Sequence, residues 1–237
     1  MKNKNTLLAI LVLLFVVLMS IPYLVPHTGL LALFGLVPLL CMERIATMTG
    51  TRRIWLWHYG AFVLWNAVTT FWVCNATVGG GIFAVLANAF QMSIVFGLFR
   101  WSRKILKGSL PYILLAMMWI AWEKYYLTVA QISWPWLVLG NAFARTLSIA
   151  QWYEYLGTLG GSLWIWACNL GLFGIMVSLS DGSWSMFNAK AKTAAIGGYL
   201  LLLAAPMALS MHTYNSYEEA ADRTIDVAVL QPNIDPY

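Results

Sequence analysis

Hydrophobic positions along this chain come in long runs broken by short polar clusters, with no sustained period-2 alternation until the last dozen residues. A helix needs roughly 20 apolar residues to cross the hydrocarbon of a bilayer. Seven runs are read as spans: approximately Thr6–Leu24, Gly29–Met42, Ile54–Ala76, Ile82–Phe99, Leu110–Trp122, Leu163–Leu179 and Ala194–Met211. The second is short for a crossing. Pro111 suits the first turn of the fifth helix, where a missing N–H leaves no bond unmade. Gly79, Gly80 and Gly81 are expected to form a tight connection between the third and fourth spans. Met1–Ser20 has the basic start of a signal peptide, but its apolar run continues to Val25 without a small-residue cleavage site, so it is read as a retained helix.

Polar positions set the threading. With the N-terminus cytoplasmic, the inner side carries Lys2, Lys4, Arg44, Arg52, Arg53, Arg100, Arg103, Lys104, Lys107, Lys190 and Lys192. Only Lys124, Arg145 and Arg223 fall outside, together with the acidic tail of Glu218, Glu219, Asp222, Asp226 and Asp235. That imbalance follows the positive-inside rule. Tryptophans mark the two boundaries: Trp55, Trp57, Trp101 and Trp184 inside, Trp72, Trp119, Trp122, Trp134, Trp136 and Trp152 outside. The location predicted is a membrane crossed several times, with the N-terminus cytoplasmic and the tail on the opposite side.

Composition narrows the function classes. Apolar residues make up 61% of the chain and charged ones 10%, against about 25% charged in ordinary soluble domains. The net charge of +5 lies in loop clusters, with no basic face interleaved with aromatics, so no nucleic acid is expected as partner. Cys41, Cys74 and Cys168 form no C-x-x-C pair and have no ligand at metal spacing. No metal or cofactor is predicted. Asn66, Asn75, Asn88, Gln91, Asn169 and His58 are expected to make interhelical hydrogen bonds. The absence of an acid in mid-span weighs against an ion-coupled transporter.

Two segments depart from a plain helical bundle. Residues Glu123–Gly161 join the fifth and sixth spans yet are rich in apolar and aromatic side chains. Such a loop prefers the membrane interface, as an interfacial or re-entrant element. It reads either as an amphipathic packing segment or as a platform where a lipid substrate is admitted, with Trp134, Pro135, Trp136 and Glu123 as lipid-path residues. From Ile225 the chain alternates as a strand, Asp226-Val-Ala-Val-Leu-Gln-Pro-Asn233, with a turn signal behind it. A lone strand is not stable. It is therefore read as the first strand of a second domain whose remainder is missing, giving a membrane domain over 1–212, a linker over 213–224 and the strand over 225–237.

The combination resembles the apolipoprotein N-acyltransferase family. Asp226 to Pro236 is similar to the first strand and following turn of its nitrilase-like domain, Gln231 and Asn233 included. Ser133-Trp-Pro-Trp-Leu-Val-Leu-Gly140 resembles its Pro-Trp-Leu segment before a glycine. Trp119-Ile-Ala-Trp-Glu123 and Phe71-Trp-Val-Cys-Asn-Ala-Thr-Val-Gly79 resemble two of its helix ends. The implied fold is an all-α polytopic bundle followed by an α/β nitrilase-like domain. The implied activity is acyl transfer from a phospholipid donor to the N-terminal diacylglyceryl-cysteine of a lipoprotein, through a thioester on a cysteine. Its glutamate base, oxyanion lysine and cysteine nucleophile are implied downstream of the first strand, so no residue of this chain is assigned a catalytic role, and the chain alone is expected to be inactive. The rivals are a non-enzymatic transporter or scaffold with a periplasmic domain, and another nitrilase-like membrane amidase or acyltransferase.

The threading has a direct check. Topology reporters fused at Arg103 and at Tyr237 are expected to report opposite sides of the membrane; a shared side overturns the arrangement.

Overall fold

The computed structural model describes residues 4–130, 134–218 and 225–231. Lys2, Ile132, Ser133, Glu219, Asp222, Arg223, Asn233 and Asp235, invoked above, lie outside them.

Helices dominate these residues. α1 (Lys4–Leu24) is followed by a 3-10 turn, Gly29–Leu31, then α2 (Ala32–Gly35) and α3 (Val37–Met48). Next come α4 (Ile54–Thr70), a 3-10 turn over Phe71–Asn75, α5 (Val78–Ser102) and α6 (Leu110–Thr128). The chain then makes 3-10 turns at Pro135–Leu137 and Leu139–Phe143 and a single turn, α7 (Leu147–Ala150). It closes with α8 (Tyr153–Ser180), a 3-10 turn at Ser183–Met186 and α9 (Ala189–Ser216). Every expected run is helical. Among the described residues, five segments are long and apolar enough to cross a membrane: α1, Gly29–Met48, α5, α8 and α9. The second run thus reaches Met48 instead of stopping at Met42.

α4 and α6 fall outside that set. α4 has 17 residues, about 26 Å at 1.5 Å per residue, and α6 carries Glu123 and Lys124 in its last turns. Both nevertheless lie inside the bundle, α4 against α1 and α5, α6 against α5 and α8. Three further expectations change. Gly79–Gly81 belong to the start of α5 rather than to a loop, and Gly81 leaves the room that Cys74 fills. Trp119 and Trp152 turn inward, 0% and 6% exposed, because the aromatic core recruits them; Trp119 meets Phe62, Trp122 and Trp166 edge-on or tilted. Residues 225–231 are exposed and form no strand: among the described residues there is no neighbouring strand to pair with them.

Buried polar side chains repair the backbone where the helices break. Between α2 and α3 the ladder would join the Leu36 N–H to the Ala32 carbonyl, but Asn169 of α8 is inserted there. Its Oδ1 accepts from Leu36 N at 2.8 Å and Val37 N at 3.1 Å, and its Nδ2 donates to Ala32 O at 2.8 Å. The break is imposed by Pro38, whose ring disfavours a continuous helix. In α9, Pro206 has no N–H for the Leu202 carbonyl, and the Trp164 indole donates to that oxygen at 2.8 Å. Asn88 donates to Asn66 at 2.6 Å, and Ser93 and His58 share a bond of 2.8 Å, joining α4 to α5.

One end of the bundle gathers the basic residues. Glu43, 2% exposed, pairs with Arg100 at 3.5 Å and closely with Arg103, joining α3 to α5. Lys4 and Arg52 line one cleft there.

Asn169 carries the break in the second span, so its loss is expected to be costly. Asn169→Leu leaves two buried N–H groups and a carbonyl unpaired. At about 1–3 kcal/mol for each orphaned group, a loss of at least about 3 kcal/mol is expected in unfolding from detergent micelles. A loss below about 1 kcal/mol would show that the break is held by other contacts.

Candidate functional site

The opposite end of the bundle is built around Glu123. Trp119 and Glu123 stand one turn apart on α6, so both face the same neighbour. The Trp119 indole donates to Glu123 Oε1 at 3.1 Å, and the backbone N–H of Leu139 donates to the same oxygen at 2.8 Å. Glu123 is 0% exposed. A side chain of α6 therefore holds down the connection that follows it.

The rest of that connection is fastened in the same way. Gly140 N donates to Ser162 Oγ at 3.0 Å, and Tyr153 donates its hydroxyl hydrogen to Gly140 O at 2.8 Å. Tyr23 of α1 donates to Val138 O at 3.2 Å. Arg145 donates to Leu24 O at 3.2 Å, and its own carbonyl accepts from His27 N at 3.3 Å. Asn141 Nδ2 donates to Pro135 O at 2.8 Å and rounds off the turn. Leu137, Val138, Leu139, Ala142 and Phe143 are all buried. The irregular backbone of this segment is packed into the bundle and satisfied by protein groups, which is what non-helical backbone needs wherever water is excluded.

Two glycines make the close approach possible. A Cβ on Gly140 would collide with the Thr158 carbonyl oxygen. Gly157 has φ 66° and breaks α8 after its first turn, so that Tyr153 can turn back toward Gly140. A left-handed φ of this kind favours glycine over residues with a Cβ.

On this rigid base the aromatic residues divide. Trp134 and Pro135 are half-buried, whereas Trp136 is 53% exposed and meets Trp72 edge-to-face, centroids 5.3 Å apart at 89°. Trp122 stacks on Tyr126 at 5.4 Å and donates to Gln91 at 3.3 Å. The structure brings Trp134, Pro135 and Trp136 together at one end and sets Glu123 beneath them, with its carboxylate turned inward. Trp72, Tyr153 and Ser162 complete the arrangement. Trp72 is legible in the sequence as a boundary tryptophan; Tyr153 and Ser162 carry no local signal, since only the fold brings them to Gly140.

No thiol shares this site. Cys168 is buried, Cys74 packs against Gly81, and Cys41 lies near the basic end.

The family model of the apolipoprotein N-acyltransferase N-terminal domain matches residues 15–171. The chain belongs to the apolipoprotein N-acyltransferase family. A curated relative, the apolipoprotein N-acyltransferase of Chlorobaculum tepidum, is 27% identical over 216 residues, covering 89% of this chain and 38% of the relative. The chain therefore spans less than two fifths of that relative's length. No solved structure matches it. The Glu123-anchored element lies wholly inside the matched N-terminal domain of the apolipoprotein N-acyltransferase family.

Gly140 is the tightest point of this site. Gly140→Ala is expected to unseat the element and to lower stability by about 1–3 kcal/mol, the usual cost of overpacking. Proteolytic sensitivity near Val138 should rise in parallel. A variant as stable and as protected as the parent would show that α8 moves away without penalty.

Proposed function

We propose that this chain is the membrane portion of an N-acyltransferase that moves an acyl chain from a phospholipid to the N-terminal diacylglyceryl-cysteine of a lipoprotein. The observation that carries this reading is an irregular element, pinned by Glu123 and presenting Trp136 and Trp72, inside a chain of the apolipoprotein N-acyltransferase family. In this reading a thiolate of the longer protein attacks the ester carbonyl of the phospholipid. The lysophospholipid leaves, and the lipoprotein amine then displaces the thioester sulfur. The base, the oxyanion lysine and the nucleophile belong to a nitrilase-like domain that starts at residue 225, after the membrane domain of 1–212 and its linker.

The physical requirement is that both substrates stay anchored. Each buried CH₂ is worth about 0.8 kcal/mol, so drawing whole chains into water is prohibitive. A rigid interfacial element lets the polar head reach a periplasmic catalytic domain while the chains remain in lipid. Trp134, Pro135 and Trp136 line that path; Glu123 serves by holding the backbone beneath it. We further assign seven crossings of the bacterial cytoplasmic membrane, N-terminus cytoplasmic. α4 with its 3-10 extension Phe71–Asn75 gains about 10 Å at 2.0 Å per residue, enough to match its neighbours.

In the full-length enzyme, Trp136→Ala is expected to lower acyl transfer per folded molecule about three- to tenfold, the scale of one aromatic pair. Trp72→Ala should give a similar loss, because the two rings form one unit. Acyl transfer and membrane-inserted folded protein are to be measured on the same preparation. Losses that only track folded protein would leave these rings as anchors and remove the lipid path.

A further inference from the structure

The other end of the bundle holds a second arrangement, unrelated to acyl transfer. Glu43 is fully engaged: Oε1 accepts from Thr47 at 2.8 Å and faces Arg100 at 3.5 Å, and Oε2 is taken by Arg103. Its chain neighbour Arg44 is half-buried and, among the described residues, forms no ion pair. Arg44 lines two apolar clefts of about 350 Å³ and about 440 Å³. Phe173 and Val177 of α8 line both, so they form a ridge between the clefts. Ser109 and Tyr112 stand on the rim of the larger one. Asp181 borders the smaller; its Oδ1 accepts from Ser183 N at 3.0 Å, and it acts on Arg44 through space without forming an ion pair.

A guanidinium that no carboxylate holds in an ion pair among the described residues, set over paired apolar clefts, matches a phosphate carrying two acyl chains. Arginine binds phosphate through parallel N–H donors. The surrounding Lys4, Arg52, Arg100 and Arg103 raise the local concentration of anionic lipid headgroups. We propose that Arg44 holds the phosphate of an anionic glycerophospholipid from the leaflet at the basic end, its two chains lying on either side of the Phe173–Val177 ridge. This lipid is a resident, not the acyl donor. The 19 residues of α6, about 28 Å at 1.5 Å per residue, separate it from the aromatic end.

The test uses the full chain, purified in detergent, stripped of lipid and incubated with phosphatidylglycerol, with retention read by native mass spectrometry. One retained lipid per chain is expected. Arg44→Gln should lower retention about tenfold, the scale of one charge-assisted phosphate contact, and Lys104→Gln, at the same end but outside both clefts, should not. Val177→Trp, which fills the clefts and keeps the charge, should also release the lipid; it decides the matter if Arg44→Gln does not fold. Retention by Arg44→Gln at the parent level would overturn the proposal. So would equal retention of a diacylglycerol with the same chains, which would show an apolar site only, or displacement by inorganic phosphate, which would show a site for free anions.

Discussion

Inside a bilayer no water is available to repair a broken helix, and every orphaned backbone group costs several kcal/mol. This chain breaks its helices repeatedly, and three of the breaks are met by a side chain from another element. Asn169 enters the ladder between Ala32 and Leu36. Trp164 serves the Leu202 carbonyl that Pro206 cannot reach. Glu123 accepts from Leu139 where α6 gives way to irregular backbone. α8 supplies Asn169, Trp164, Ser162 and Tyr153, and so connects the second span, α9 and the irregular element.

Buried ionisable groups follow the same constraint. Glu43 and Glu123 stand near opposite ends of the bundle; Glu43 is engaged through both oxygens and Glu123 through Oε1. One binds two arginines and stitches α3 to α5; the other binds an indole and a backbone amide and stitches α6 to the element after it. Burying an unpaired charge is prohibitive; Glu43 meets this with two arginines and Glu123 has neutral donors, and both carboxylates act as fasteners for the geometry around them. The exposed aromatic pair Trp72–Trp136 can then sit at the surface in a fixed relation.

The two ends differ in chemistry because they differ in what fastens them. The basic end is joined by ion pairs and, among the described residues, keeps one guanidinium, that of Arg44, outside them. The aromatic end is joined by amides, hydroxyls and close glycine contacts. In our reading the first holds a lipid in place and the second passes one to a catalytic domain.

The sequence by itself determined the helical runs, the basic end and the oddity of the Glu123–Gly161 connection, since hydrophobic length and charge placement are properties of local composition. Trp134, Pro135 and Trp136 were legible as a unit because they are contiguous, and Asn169 only as one of several polar residues in a span. The pairing of Asn169 with Leu36 joins positions 133 residues apart, and no local pattern encodes such a distance. The inward turn of Trp119, the inner position of Glu123 and the meeting of Tyr153, Ser162 and Gly140 were likewise decided only by tertiary packing. Apolar periodicity tells that a helix is buried in something; which face meets protein and which meets lipid depends on the neighbours, because both environments are apolar.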